Sequence, residues 1–165
     1  MVFNDEDFRK IIEDFLLTYK QFLVSARMHQ KVGTDLYKKN ISTWNTILRS
    51  LEAGVVVGLN RILERKDDLG RKFEDEKVNT TAKKIDNLRH SHFGHFDISK
   101  MRLGGYLQEN QIFGSDLIDL IDAIKKRLIT YQSSYKLNVN VDQLFRSATQ
   151  ESMSDFESWM IYFKK

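Results

Sequence analysis

The stretch Leu88-Arg89-His90-Ser91-His92-Phe93-Gly94-His95-Phe96-Asp97 holds three of the chain's four histidines; the fourth, His29, lies far upstream. Imidazole is the side chain that exchanges protons near neutral pH, and an arginine beside it supplies a planar fork suited to phosphate. One short segment therefore contains both a proton carrier and an anion holder. The same residues allow a second chemistry, because His90, His92, His95 and Asp97 are all donors of the kind that ligate a divalent metal. A single histidine on a helix is more often a hydrogen-bonded structural group. It is the crowding here that points to function.

The spacing carries a resemblance. Arg89, a polar residue at 90, and His95 after five intervening residues resemble the R-x4-6-H signature of HEPN domains, helical nucleic-acid-associated domains found in many RNase toxins and phage-defence proteins. The fuller string from Leu88 to Asp97 is similar to the abortive-infection, AbiU-type branch. That branch usually reads leucine-arginine-asparagine-lysine, then a small residue, histidine and a polar pair. Here His90 and Ser91 stand where asparagine and lysine are usual, and Gly94 where alanine is common.

The resemblance implies a metal-independent endoribonuclease of toxin or antiviral character that needs no cofactor. In that reading His95 is the general acid or base, Arg89 binds the phosphate, and His90 inherits the positioning role of the residue after the arginine. His92, Lys83 and Lys84 are candidate substrate-binding residues. The implied partners are RNA, a second copy of the chain, and a cognate antitoxin or regulatory protein. HEPN toxins paired with nucleotidyltransferase antitoxins carry a tyrosine two residues after the histidine; this chain reads His95-Phe96-Asp97 and lacks that hydroxyl. Two other readings stand beside the ribonuclease. One is a non-catalytic module that binds nucleic acid, nucleotide or protein; the other is an enzyme built on the His/Asp metal set.

Charge fits the first two readings. The 26 basic and 23 acidic residues nearly balance, so placement matters more than the net +3. Between Ala82 and Arg102, Lys83, Lys84, Arg89, Lys100 and Arg102 face only Asp86 and Asp97, a local cationic excess of the kind that attracts phosphate. His29, in Met28-His29-Gln30-Lys31, reads as a solvated residue near a helix end.

The elements that must position these groups are helices. Proline is absent, and apolar residues recur at intervals of three and four nearly throughout. A first helix is expected from Asn4 to about Gly33, with Phe8, Ile11, Ile12, Phe15, Leu16, Tyr19, Phe22, Leu23 and Ala26 on one stripe. A second runs from about Leu36 to Arg65 through Ile41, Trp44, Leu48, Leu51, Val55, Leu59 and Ile62. Residues 66 to 80 read as a solvated connection with at most one helical turn.

The motif helix is expected to begin near Thr80 or Thr81, anchored by Ala82, Ile85, Leu88 and Phe93. Residues 98 to 114, with Gly104-Gly105, read as a connection holding a short helix around Tyr106-Leu107-Gln108. A fourth long helix follows from Ser115 or Asp116 to about Tyr135. The last starts at Asn140, with Gln143 as its capping partner, and should bury Phe156, Trp159, Ile161, Tyr162 and Phe163 against the bundle or a partner. The sum is one all-α domain over residues 1–165, a mostly antiparallel bundle of about five helices of HEPN type.

Absent cysteine, the acidic start Asp5-Glu6-Asp7 and apolar runs no longer than Val55-Val56-Val57 make a cytoplasmic protein without membrane spans the expectation. On a straight helix, Arg89 and His95 stand about 9 Å apart along the axis and about 120° around it. His92 bridging them, a bend at Gly94, or a two-fold dimer would each let the pair cooperate.

Overall fold

The computed structural model describes residues 5–65, 67–89, 112 and 114–163. Among these it is all helical, with six helices in sequence. Helix α1 (Asp5–Gln30) opens on Asp5, Glu6 and Asp7, whose carboxylates complement the positive helix end, and closes before Gly33, the one described glycine with positive φ (87°). The expected cap Asn4 lies outside the described residues.

The long second helix of the sequence reading is interrupted at Asn40. A short α2 (Asp35–Lys39) is capped by Thr34, whose hydroxyl accepts from Tyr37 N, and α3 (Ile41–Leu63) starts afresh. Asn40 makes the break stable: its Nδ2 donates to Leu36 O at 3.0 Å and to Phe163 O at 3.4 Å, pinning the corner to the end of the last helix. Such local side-chain bonding competes with a continuous helical ladder. Ile41, expected in the core, is exposed as a result.

Helix α4 (Glu76–Leu88) begins a turn earlier than Thr80, because Asp75 takes the N-cap position and accepts from Lys77 N at 2.7 Å. Helices α5 (Gly114–Ser134) and α6 (Val141–Phe163) form a hairpin, and Asn140 caps α6 by accepting from Gln143 N at 3.0 Å.

Helix α1 packs between α3 and α6, while α4 lies against α3 and α5. Helices α1 and α3 run antiparallel: Phe8, Ile11 and Ile12 share a core with Leu59 and Ile62, and Val24 and Met28 share a second with Trp44 and Leu48. Helices α1 and α6 run the same way, as Tyr19–Thr149 and Arg27–Ser152 contacts require. Gly58 makes the α1–α3 crossing close, since a β-carbon there would lie 2.9 Å from Thr18 Cβ and Cγ2.

The connection between α3 and α4 is not a solvated strap. Leu69 and Phe73 are buried, and Arg127 of α5 holds the backbone by donating to the carbonyls of Leu69 (3.0 Å), Arg71 and Lys72 (2.7 Å), with its guanidinium 3.5 Å from the Phe73 ring centre. Lys77 adds a tie from α4 to α5 through Asp119 (2.7 Å) and Asp116 (3.3 Å); the hydrogen bond to Asp119 is the chief reason its ammonium pKa is raised. At the end of α6, Phe156 is buried and Phe163 partly so, but Trp159, Ile161 and Tyr162 are exposed, so within the chain the bundle takes two of the five aromatic and aliphatic residues expected to dock. The exposed three fall on the outward arc of a helix whose inward arc is taken by Phe156 and Met160. No helix among the described residues is long and apolar enough to cross a membrane.

Candidate functional site

Of the motif stretch, the described structure contains Leu88, which packs against the core, and Arg89. Arg89 sits at the C-terminal end of α4 with helical backbone angles (φ −59°, ψ −51°), its N–H still bonded to the preceding turn. The register of α4 decides where it points. Asn79, Ala82, Asp86 and Arg89 follow one another at intervals of three, four and three, which places them on one face of the helix. That face meets α3, whose Asn60, Leu63 and Glu64 share a matching face at the C-terminal end. Between them lies a groove of about 290 Å³, lined on its remaining side by Gly70, Arg71, Lys72 and Phe73.

Arg89 does not itself line the groove, but its guanidinium bonds the carboxylate of Glu64, which does. Both are partly open to solvent, 35% for Arg89 and 43% for Glu64, so an incoming phosphate can compete for the same fork.

Lys83 and Lys84 occupy other sides of the helix. They stand about 120° and about 140° around the axis from Arg89, with Lys83 exposed and Lys84 half-buried. The fold does not bring them onto the arginine's face. His90, His92 and His95, together with Asp97 and the connection containing Gly104-Gly105, lie outside the described residues.

His29 is accounted for separately: at the end of α1 its Nε2 lies 2.8 Å from Glu52 of α3, exposed. Glu52 stands at the middle of α3, twelve residues before Glu64. Among the described residues no group of three histidine or carboxylate side chains converges to hold a metal ion.

Two residues of the groove escaped the sequence reading. Glu64 falls near the end of the helix expected from Leu36 to Arg65, and nothing in the local sequence marks it. Asn60 sits in the apolar run Val55-Val56-Val57-Gly58-Leu59-Asn60-Arg61-Ile62, and that position was the available signal: a polar residue where the three-four repeat demands burial. It is 1% exposed. Two larger hollows, of about 860 and 930 Å³, run beside Tyr131 and Tyr135 and are lined by none of the motif residues.

No family model, curated protein or solved structure matches the chain.

Proposed function

We propose that the protein is a HEPN-type, metal-independent endoribonuclease of toxin or phage-defence character. The observation that carries the reading is Arg89: a partly exposed guanidinium at the end of an amphipathic helix, oriented by a carboxylate from the neighbouring helix, six residues before His95. Arg89 holds the scissile phosphate and offsets the charge that builds on its oxygens as the reaction proceeds. His95 takes the proton of the 2′-hydroxyl as that oxygen bonds to phosphorus, or delivers one to the 5′-oxygen as its bond to phosphorus breaks. His90 positions the pair, and His92 contributes to substrate binding.

The test is cleavage of single-stranded RNA by the purified protein in excess EDTA. Arg89→Ala and His95→Ala are each expected to abolish cleavage with the helical circular dichroism unchanged. Activity lost to chelator and restored by a divalent ion would instead favour the His90, His92, His95 and Asp97 metal set.

The Glu64–Arg89 pair supports a second reading, a non-catalytic nucleic-acid or nucleotide binding module, because a guanidinium already engaged by a carboxylate suits exchangeable anion capture as well as catalysis. RNA binding that Arg89→Ala weakens, without cleavage of any RNA, would select it.

A further inference from the structure

The side chain of Asn60 is buried, and neither its Nδ2 donor nor its Oδ1 acceptor is bonded to any described residue. Buried amides in folded proteins nearly always find partners, and an orphaned one costs stability, so its retention asks for a ligand or another reason. The neighbouring amide shows what a structural asparagine does here: Asn79 accepts from Phe73 N at 2.7 Å and donates to Phe73 O at 2.8 Å, closing the end of the same groove. Asn60 has no such duty. A second orphan, the indole N–H of Trp44, is packed among Tyr37 and Phe163 and lines none of the three hollows described above.

We propose that the α3–α4 groove is a nucleobase subsite, with the Asn60 amide reading the base edge while Arg89 holds the adjoining phosphate. An amide presents one donor and one acceptor side by side in a plane, and its natural complement is a planar group with the reverse pair, as a base edge provides. The groove's 290 Å³ is roughly ten times the share of one water molecule, and close to the lower end of small-ligand pockets at about 300 Å³. One wall is apolar, from Leu63, Ala82 and Phe73, as a base face needs. Glu64 lines the groove and bonds Arg89, so the phosphate holder is one ion pair away from the subsite. Asn60 lines the groove but is only 1% exposed, so engaging a base requires its side chain to turn into the groove. The choice of ligand rests on the ribonuclease reading above; the cavity and the orphaned amide do not.

The experiment is a titration of isotopically labelled protein with AMP, GMP, CMP and UMP in turn, following the Asn60 side-chain NH2 resonances, run beside cleavage-site mapping on single-stranded RNA. One mononucleotide is expected to shift those resonances more than the other three. Its affinity should fall about tenfold or more in Asn60→Leu, the loss typical of a two-point amide contact, and likewise in Ala82→Met, which fills the groove and keeps the asparagine. Asn60→Leu is expected to fold at least as stably as the parent, since it removes unbonded buried polar atoms; Ala82→Met serves if it does not.

Cleavage with a base preference that both variants erase supports the subsite and the ribonuclease together. Cleavage whose preference both variants retain, with no nucleotide moving Asn60, overturns the subsite and leaves the ribonuclease standing. Nucleotide binding that both variants lose, in a protein that cleaves no RNA, upholds the subsite and removes the ribonuclease. An Asn60 amide contacted by ordered water only, with no response to any nucleotide, overturns it.

Discussion

At the residue scale, the pair Arg89–Glu64 sets a competition between a fixed carboxylate and a transient phosphate. An exposed ion pair is worth about 1 kcal/mol or less, so the phosphate wins easily. Replacing Glu64 by Gln should therefore tighten RNA binding by up to about fivefold, the equivalent of that energy. A direct binding titration at fixed ionic strength checks it; weaker binding would mean that Glu64 orients the arginine more than it competes. Arg89→Ala should cost less than about 1 kcal/mol of stability for the same reason, which makes lost activity attributable to the site. His29→Ala is expected to leave cleavage unchanged, since its partner Glu52 lies twelve residues before Glu64, about 18 Å of helix away.

Tyr131 gives a pH dependence unrelated to catalysis. Its burial, reinforced by Tyr135 and then by Asp67 and Asp68, pushes its phenol up to about 12. In the unfolded chain a tyrosine ionises near pH 10. Between those values the folded protein holds a proton that the unfolded chain releases, so stability is constant below about pH 10 and falls as pH rises towards 12. Tyr131→Phe removes the ionisation, and denaturant midpoints measured from pH 8 to 12 should decline less steeply in that variant.

At the element scale, the α1–α3 crossing depends on Gly58. A β-carbon there meets both the β-carbon and the methyl of Thr18, so no rotation of the threonine relieves it. Gly58→Ala should destabilise by about 1–3 kcal/mol through overpacking, partly relieved by adding Thr18→Ala. Urea unfolding of the two single variants and the double variant decides it. An additive double variant would show that the helices can move apart without cost.

Helix identity was legible in the chain because the three-four repeat of Leu48, Val55, Leu59 and Ile62, or of Leu120, Ile124, Leu128 and Tyr131, is a consequence of burial on one face. The boundaries were less so. The corner at Asn40 depends on a carbonyl of residue 163, and the anchored path of residues 67–75 depends on Arg127, more than fifty positions away. No local pattern encodes such partners. The site was half legible: Arg89 follows from its spacing to His95, whereas Glu64 joins it only once two helices lie side by side.

At the scale of the whole molecule, the proposed chemistry asks for two chains. One arginine and one histidine set about 120° apart on a straight helix converge poorly, while two-fold pairing supplies both around one axis. Sedimentation is expected to give about twice the 19.5 kDa chain mass. Mixing inactive Arg89→Ala subunits with inactive His95→Ala subunits should then restore part of the activity, if each cleft draws its arginine and histidine from different chains. A monomer with full activity would discard the shared cleft.

The two tryptophans divide the molecule optically. Trp44 is fully buried beside Tyr37 and Phe163, with Trp159 on the same final stretch of α6. Glu64 lies twenty residues farther along α3, about 30 Å of helix away. Intrinsic emission thus reports on the end of the bundle opposite Arg89. It should shift on unfolding and stay unchanged when a nucleotide enters beside Glu64, so the protein carries its own control: a ligand that quenches tryptophan has bound at the wrong end.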